Sequence, residues 1–321
     1  MTVRFGIIGP GSIATRFATV LNTVDGVQLT AVASRDQAKA AAFAGKFGAA
    51  KAYGSYLELI QDSAVDVIYI GLTHNFHYEV AKLCLNHGKS VLCEKPLVTS
   101  QKDAAELAEL AREKKVLLME AMWTRCIPAF RKAREWVAGG RIGAVKLIDA
   151  SFSFNAPFDP EHRLYDPKLA GGSLYDAGVY PIEFATGILA ENPSAVKGVA
   201  TVASTGVDDN VAMVMSFASG ALAMLSCGLT ANTTRNASIY GTDGHIVVYN
   251  FLGPRQCELY DNQNKLVESF EEDFSDGFIY QIRHFADLYR NHKVESDLIP
   301  LQDTVACAAI FDDLMQQWGL K

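Results

Sequence analysis

Three short stretches carry residues whose types and spacing suit chemistry. In the first, Ser90-Val91-Leu92-Cys93 reads as a short buried strand that delivers Glu94-Lys95 at its end; Pro96, which lacks an amide hydrogen, stops the ladder. Ligands of an open α/β sheet sit beyond the carboxyl ends of its strands, so Lys95 stands where a substrate is handled if the preceding residues build such a sheet. The plainer role is a surface lysine paired with Glu94. In the second stretch, Gly9-Pro10-Gly11-Ser12-Ile13-Ala14 directly follows the apolar run Val3 to Ile8. This is G-x-G-x-x-A between a strand and a helix: Gly9 permits the tight turn, Gly11 lets a pyrophosphate approach the backbone, and Ala14 lets helix and strand pack closely. The helix start, Ser12 and Ile13, offers amides to phosphate charge. The third stretch, Gly171-Gly172-Ser173-Leu174-Tyr175-Asp176-Ala177-Gly178-Val179-Tyr180-Pro181, reads as a glycine-rich helix start. Asp176 and Tyr180 are four apart and share one helix face, and the two glycines leave room for a substrate or another domain. A core tyrosine beside a satisfied carboxylate and a functional pair fit this stretch equally well.

The elements that must position these residues follow from the period of the apolar positions. Val3 to Ile8, Gln28 to Ala33, Val65 to Gly71, Ser90 to Cys93 and Val116 to Met119 read as strands. They alternate with helices starting at Ile13, Gln37, Tyr56, Phe76 and Gln101, the alternation of a doubly wound parallel sheet. The second strand ends in Ser34-Arg35-Asp36, with no acid at the strand end to hold ribose hydroxyls; a hydroxyl and a guanidinium suit a 2′-phosphate, so NADP is expected over NAD. Asp36 is read as the N-cap of the next helix. Thr73-His74-Asn75-Phe76-His77 forms the turn beyond another strand end. There Asn75 caps the following helix or touches the cofactor, and His77 is exposed or reaches the nicotinamide ribose. His74 and His77 are three apart without further ligands at metal-binding spacing, so no metal is expected; there is no G-x-S-x-G elbow of a hydrolase either.

Composition bounds the class. The chain has 321 residues, 49% hydrophobic and 20% charged, enough for two cores. A net charge of −7 argues against a nucleic-acid partner, and no apolar run approaches a membrane span. The six cysteines are scattered without a Cys-x-x-Cys pair and read as reduced core thiols; with no signal-peptide pattern, a cytoplasmic protein is expected. After Gly139-Gly140 the period changes to two, with strand-like runs at 144–154, 195–203, 211–218, 221–229, 235–240, 245–249, 256–260 and 266–270, separated by turns such as Ser219-Gly220 and Asp243-Gly244. The expected division is a Rossmann domain over 1–122 and an α+β substrate domain over 123–321 with an open, mostly antiparallel sheet. Packing of the C-terminal helices, 278–290 and 302–318, on the first domain is left open.

Gly9 to Ala14, Thr73 to His77 and Glu94-Lys95-Pro96, in this order and spacing, resemble the glucose-fructose oxidoreductase / inositol dehydrogenase / MocA family over essentially the whole chain. Glu120-Ala121-Met122-Trp123-Thr124-Arg125 is most similar to the branch of dimeric trans-dihydrodiol dehydrogenases and NADP-dependent xylose dehydrogenases; one departure is His74, where the wider family often has proline. The resemblance implies an oxidoreductase acting on a small polyhydroxy substrate, a sugar or a trans-dihydrodiol. It implies Tyr180 as proton shuttle, an acid at Asp176, and contact of Arg163 with cofactor or substrate, a solvated arginine being the other reading of Arg163; Glu94 and Lys95 join the cofactor site. It also implies a homo-oligomer formed through the second sheet. Trp123 either walls the nicotinamide pocket or fills the domain junction. Tyrosine, with a reference pKa of about 10, is a poor base at neutral pH. Lowering it to about 7 needs roughly 4 kcal/mol, which one ammonium at about 4 Å supplies at an effective dielectric of about 20. In this scheme Lys95 lowers the pKa of Tyr180 and holds the substrate hydroxyl, while Asp176 orients one of them. The competing reading is a non-catalytic NADP-binding sensor, which needs neither Lys95 nor Tyr180.

Overall fold

Short apolar runs alternating with amphipathic helices become a six-stranded parallel sheet in the computed structural model, which describes residues 1–321. The order of elements is β1 (Val3–Ile8), α1 (Ser12–Leu21), β2 (Val27–Ala33), α2 (Gln37–Phe47), β3 (Lys51–Tyr53), α3 (Tyr56–Gln61), β4 (Val67–Ile70), α4 (His77–Asn86), β5 (Ser90–Cys93), α5 (Gln101–Lys114) and β6 (Leu118–Glu120). The strands lie in the order β3-β2-β1-β4-β5-β6, the doubly wound arrangement whose switch point falls between β1 and β4. Every residue of β4 and β5 is buried, as for parallel strands covered on both faces. Two details differ from expectation. The edge strand β3 is only three residues long, too short to show a period. Strand β6 begins at Leu118 instead of Val116, because Lys115 turns the chain at φ 55° and the Val116 amide still closes the end of α5 on the Ala111 carbonyl. Asp36 caps α2 as expected, accepting from the amides of Ala38 and Lys39.

The next stretch holds α6 (Pro128–Ala138), β7 (Val145–Ser153), α7 (Val179–Leu189), β8 (Ala195–Val202), β9 (Asp208–Ser216), β10 (Leu222–Gly228), β11 (Ala237–Gly241), β12 (Gly244–Tyr249), β13 (Gln256–Asp261) and β14 (Leu266–Glu271). They form one eight-stranded sheet, β14-β13-β12-β11-β7-β10-β9-β8, antiparallel throughout except for the parallel pair β7–β10. The two-residue period sorts its faces. Met215, Ala223, Ile148 and Ile239 lie side by side on the buried face, against which α6 and α7 pack. Val214 and Met224 are neighbours on the opposite, exposed face.

The chain divides into two compact units: Met1–Val98 with Lys102–Ala121 and Phe278–Val305, and Thr99–Gln101 with Met122–Gly277 and Ala306–Lys321. The first therefore includes α8 (Phe278–Arg290), which lies on α1 with the Arg16 guanidinium 4.0 Å from the Phe278 ring centroid. The last helix, α9 (Leu301–Gln317), crosses the division after Val305. All six cysteines are buried thiols outside any disulfide, and no helix is long and apolar enough to cross a membrane.

Candidate active site

In the first unit the expected residues gather at the carboxyl ends of β1, β2, β4 and β5. Gly9 turns the chain at φ 87°, and a Cβ there would stand 2.6 Å from Leu72 Cδ2 and 2.9 Å from the Gly71 carbonyl oxygen. Gly11 is different: a Cβ would meet nothing within 4 Å, so the space before the turn is open. The amino end of α1, at Ser12 and Ile13, carries no side-chain cap and no acid in its first turn, while Ala14 is fully buried beneath it. Uncapped amides facing open space, with a positive helix-dipole end and no competing carboxylate, fit the pyrophosphate of a dinucleotide.

At the end of β2, Ser34 Oγ accepts from the Asp36 amide at 3.1 Å, and the Arg35 guanidinium lies 5.1 Å from the Phe76 ring centroid. The capping role of Asp36 leaves Ser34 and Arg35 as the polar groups of this strand end. After β4, Thr73 Oγ1 donates to Asn75 Oδ1 at 2.7 Å. Asn75 does not cap α4: it sits inside a 3-10 turn, His74–Phe76, and Phe76 precedes the helix without a side-chain bond. His77 is not exposed either. Its ring is fully buried with Nδ1 2.9 Å from the Pro96 carbonyl and Nε2 3.1 Å from that of Leu72, so it ties the segments after β4 and β5 together. Burial pushes its pKa down.

Beside it the peptide Lys95–Pro96 is cis, and Lys95 is half-buried. Glu94 is buried and accepts from the Tyr69 hydroxyl at 2.5 Å. Burial raises its carboxyl pKa against the opposing pull of that hydrogen bond and of the Lys95 charge, and burial together with Glu94 drives the Tyr69 phenol well up. Tyr69 in turn stacks on Phe17 of α1, with ring centroids 3.7 Å apart. A second buried carboxylate, Glu120, accepts from the Leu97 amide at 3.1 Å and from Thr304 Oγ1 at 2.8 Å. Glu120 opens the stretch that carries the branch resemblance, and Tyr69 lies outside the motifs. Tyr69 had a signal, since a phenol inside a wholly buried strand needs a hydrogen-bond partner.

In the second unit Arg163 and Asp176 pair just before α7, and Tyr180 lies in its first turn. The chain does not enter α7 as a regular helix: Leu174–Gly178 forms one wide π-turn before α7 begins at Val179. Because Asp176 sits in that π-turn and not in α7, the expected four-residue helical spacing between Asp176 and Tyr180 does not hold. Asp176, buried, pairs with exposed Arg163 (Oδ1 to Nη1, 3.0 Å). Every α7 residue from Val179 to Ile188 is buried except Tyr180. Its ring meets Phe152 edge-on with centroids 5.5 Å apart, and the Trp123 indole nitrogen donates to its hydroxyl oxygen at 3.3 Å. The expectation that Gly171 and Gly172 clear space for a substrate or domain is corrected here. A Cβ on Gly171 would stand 2.8 Å from the Leu164 carbonyl oxygen, and one on Gly172, where φ is 120°, would collide with the Asp208 carboxylate. The glycines let this loop press against its own unit. Asp208, fully buried and unremarked in the sequence, fastens the loop by accepting from Ser173 Oγ (2.7 Å) and the Leu174 amide (2.6 Å).

Comparison with known proteins agrees with these features. Residues 3–122 match the oxidoreductase family with a NAD-binding Rossmann fold, and residues 130–247 match the GFO/IDH/MocA C-terminal domain. The chain is 34% identical to trans-1,2-dihydrobenzene-1,2-diol dehydrogenase of Mus musculus and 33% identical to that of Homo sapiens, each match covering 100% of this chain and 98% of the relative. Among solved structures, KijD10, a 3-ketoreductase from Actinomadura kijaniata in complex with NADP and TDP-benzene, superposes with a TM-score of 0.86 at 28% identity over 98% of each chain. Forms of that reductase with one lysine or one tyrosine replaced match as well. Levoglucosan dehydrogenase, in complex with NADH and levoglucosan, shares the fold (TM-score 0.89, 19% identity, 99% of this chain and 98% of that one). The chain belongs to the Gfo/Idh/MocA oxidoreductase family and is a NAD(P)-dependent oxidoreductase acting on hydroxyl groups.

Proposed function

We propose that this enzyme uses NADP for the reversible oxidation of a secondary hydroxyl on a small polyhydroxy compound, a sugar or a trans-dihydrodiol. The observation that carries the reading is Lys95 at the carboxyl end of β5, in the same unit as an uncapped phosphate-binding turn, within a chain alike over its full length to dihydrodiol dehydrogenases. The nicotinamide, when bound, takes up or returns the hydride. The chain's residues handle the rest. Tyr180, as phenolate, takes the hydroxyl proton and gives it back in the reverse direction. Lys95 stabilises the oxygen that develops negative charge and favours the ionised phenol. Arg163 holds Asp176 in place in the turn that precedes α7. Gly9, Gly11, Ser12, Ile13 and Ala14 take the pyrophosphate. Ser34 and Arg35 take the 2′-phosphate, which supports NADP over NAD because Asp36 is spent on capping α2. Thr73, Asn75 and Glu94 complete the cofactor side. His77 contributes by filling the space between the Leu72 and Pro96 carbonyls and, as a neutral ring, donating to one of them.

The enzyme acts as a homo-oligomer in this reading, through the uncovered face of the eight-stranded sheet. The reading is tested by following reduced-nicotinamide absorbance with a panel of aldoses and cyclic diols. Turnover on part of the panel is expected; tight NADP binding with no turnover on any member would favour a sensor.

A further inference from the structure

We propose that Trp123 is a positioning residue for Tyr180: its indole N–H holds the phenol oxygen and stabilises the ionised form. The inference rests on the reading of Tyr180 as the acid/base group, and it assigns Trp123 a part in that chemistry instead of simple space-filling.

The geometry comes from a slot built for the indole. Trp123 is nearly buried, 9% exposed. A Cβ on Gly253 would stand 2.7 Å from Trp123 Cη2, and one on Gly277 would stand 2.7 Å from Cζ3, so glycine on both sides is what lets the ring lie where it does. The backbone that carries the ring is fastened at both neighbouring residues. Thr124 Oγ1 donates to the Leu252 carbonyl at 2.5 Å, on the same loop as Gly253. Arg125, wholly buried, holds α7 itself: Nε donates to the Glu183 carbonyl at 3.0 Å, Nη2 donates to Thr186 Oγ1 at 2.7 Å, and Nη2 pairs with the Glu183 carboxylate at 2.9 Å. One short turn therefore fixes the indole and the register of the helix bearing Tyr180. Phe152 closes edge-on against the phenol ring, and the Arg235 guanidinium lies 5.1 Å from the Phe152 ring centroid.

The chemistry follows from the donor. An indole N–H only donates and cannot take the proton in competition with the phenol. A hydrogen bond to an ionised acceptor is roughly twice as strong as one to its neutral form. The indole thus favours phenolate over phenol and adds to whatever a nearby cation contributes. At 3.3 Å the bond is long, and an effect of about one pKa unit is the expected size.

The test is a tyrosinate absorbance titration of the full chain, with Tyr180 isolated by subtracting the same titration of Tyr180→Phe. Trp123→Phe keeps an apolar ring and removes the N–H. It should raise the Tyr180 midpoint by about one unit and move the acidic limb of kcat/KM upward by the same amount, with NADP affinity unchanged. Gly277→Ala leaves the tryptophan in place and pushes the indole aside, so it should shift the midpoint in the same direction. That variant also answers the question if Trp123→Phe does not fold. A midpoint unmoved in the folded variants would overturn the proposal. Turnover retained by Tyr180→Phe would instead overturn the acid/base reading, and the titration would still decide the role of Trp123.

Discussion

Glu94 and Lys95 are adjacent in sequence and sit in different settings. Glu94 turns inward to a buried tyrosine, while Lys95 stays half-open at the strand end. The Glu-Lys-Pro stretch was legible because a charged pair after a fully apolar strand has few structural uses. The partner Tyr69 was passed over because a tyrosine counts as one more β-forming residue when only its propensity is weighed. His77 shows the opposite failure. A histidine in a helix's first turn reads as exposed or as a ribose contact, and only the fold brings the Pro96 and Leu72 carbonyls to its two ring nitrogens. Arg35 carries a prediction at this scale. A guanidinium–phosphate bond is worth about 1.5–3 kcal/mol, so Arg35→Ala should raise the KM for NADP roughly tenfold to a hundredfold and leave that for NAD within a few-fold. Equal increases for both cofactors would contradict the 2′-phosphate role.

At the scale of elements, the strands and helices of both sheets were legible because buried faces impose periods of two and 3.6 on the sequence. The exceptions are elements whose form is set by something other than a face. The three-residue β3 is held by pairing with β2, and the π-turn at 174–178 is held by the Asp208 carboxylate reaching back to Ser173 and Leu174. Neither leaves a period to read. Two glycines separate packing from binding. Gly172→Ala adds a Cβ at φ 120° against the Asp208 carboxylate, and should destabilise the fold by about 2–4 kcal/mol in urea unfolding. Gly11→Ala adds a Cβ into open space at φ −99°, so stability should stay within about 0.5 kcal/mol while NADP affinity falls severalfold or more. Loss of stability in the second variant, or none in the first, would contradict these assignments.

For the whole molecule, the alternation of residues in the eight-stranded sheet gave its strands but not which face stays uncovered. The structure leaves Val199, Val214, Leu222 and Met224 exposed at 71%, 51%, 52% and 48%, on β8, β9 and β10. Exposed apolar residues grouped on one sheet face suit the proposed contact between copies, and a stable symmetric contact covers about 800 Å² per partner. If a second copy covers it, the wild type should sediment as an oligomer, and Val214→Lys with Met224→Lys should sediment as a monomer with an unchanged far-UV spectrum. A monomeric wild type would contradict that arrangement. The decisive check of the proposed chemistry combines cofactor binding and turnover in one protein. Lys95→Met removes the charge and keeps the stem; alongside the wild type it should bind NADP within a few-fold of normal affinity, yet show no change in reduced-nicotinamide absorbance with any sugar or diol that the wild type oxidises. Turnover by Lys95→Met near the wild-type rate would contradict the account.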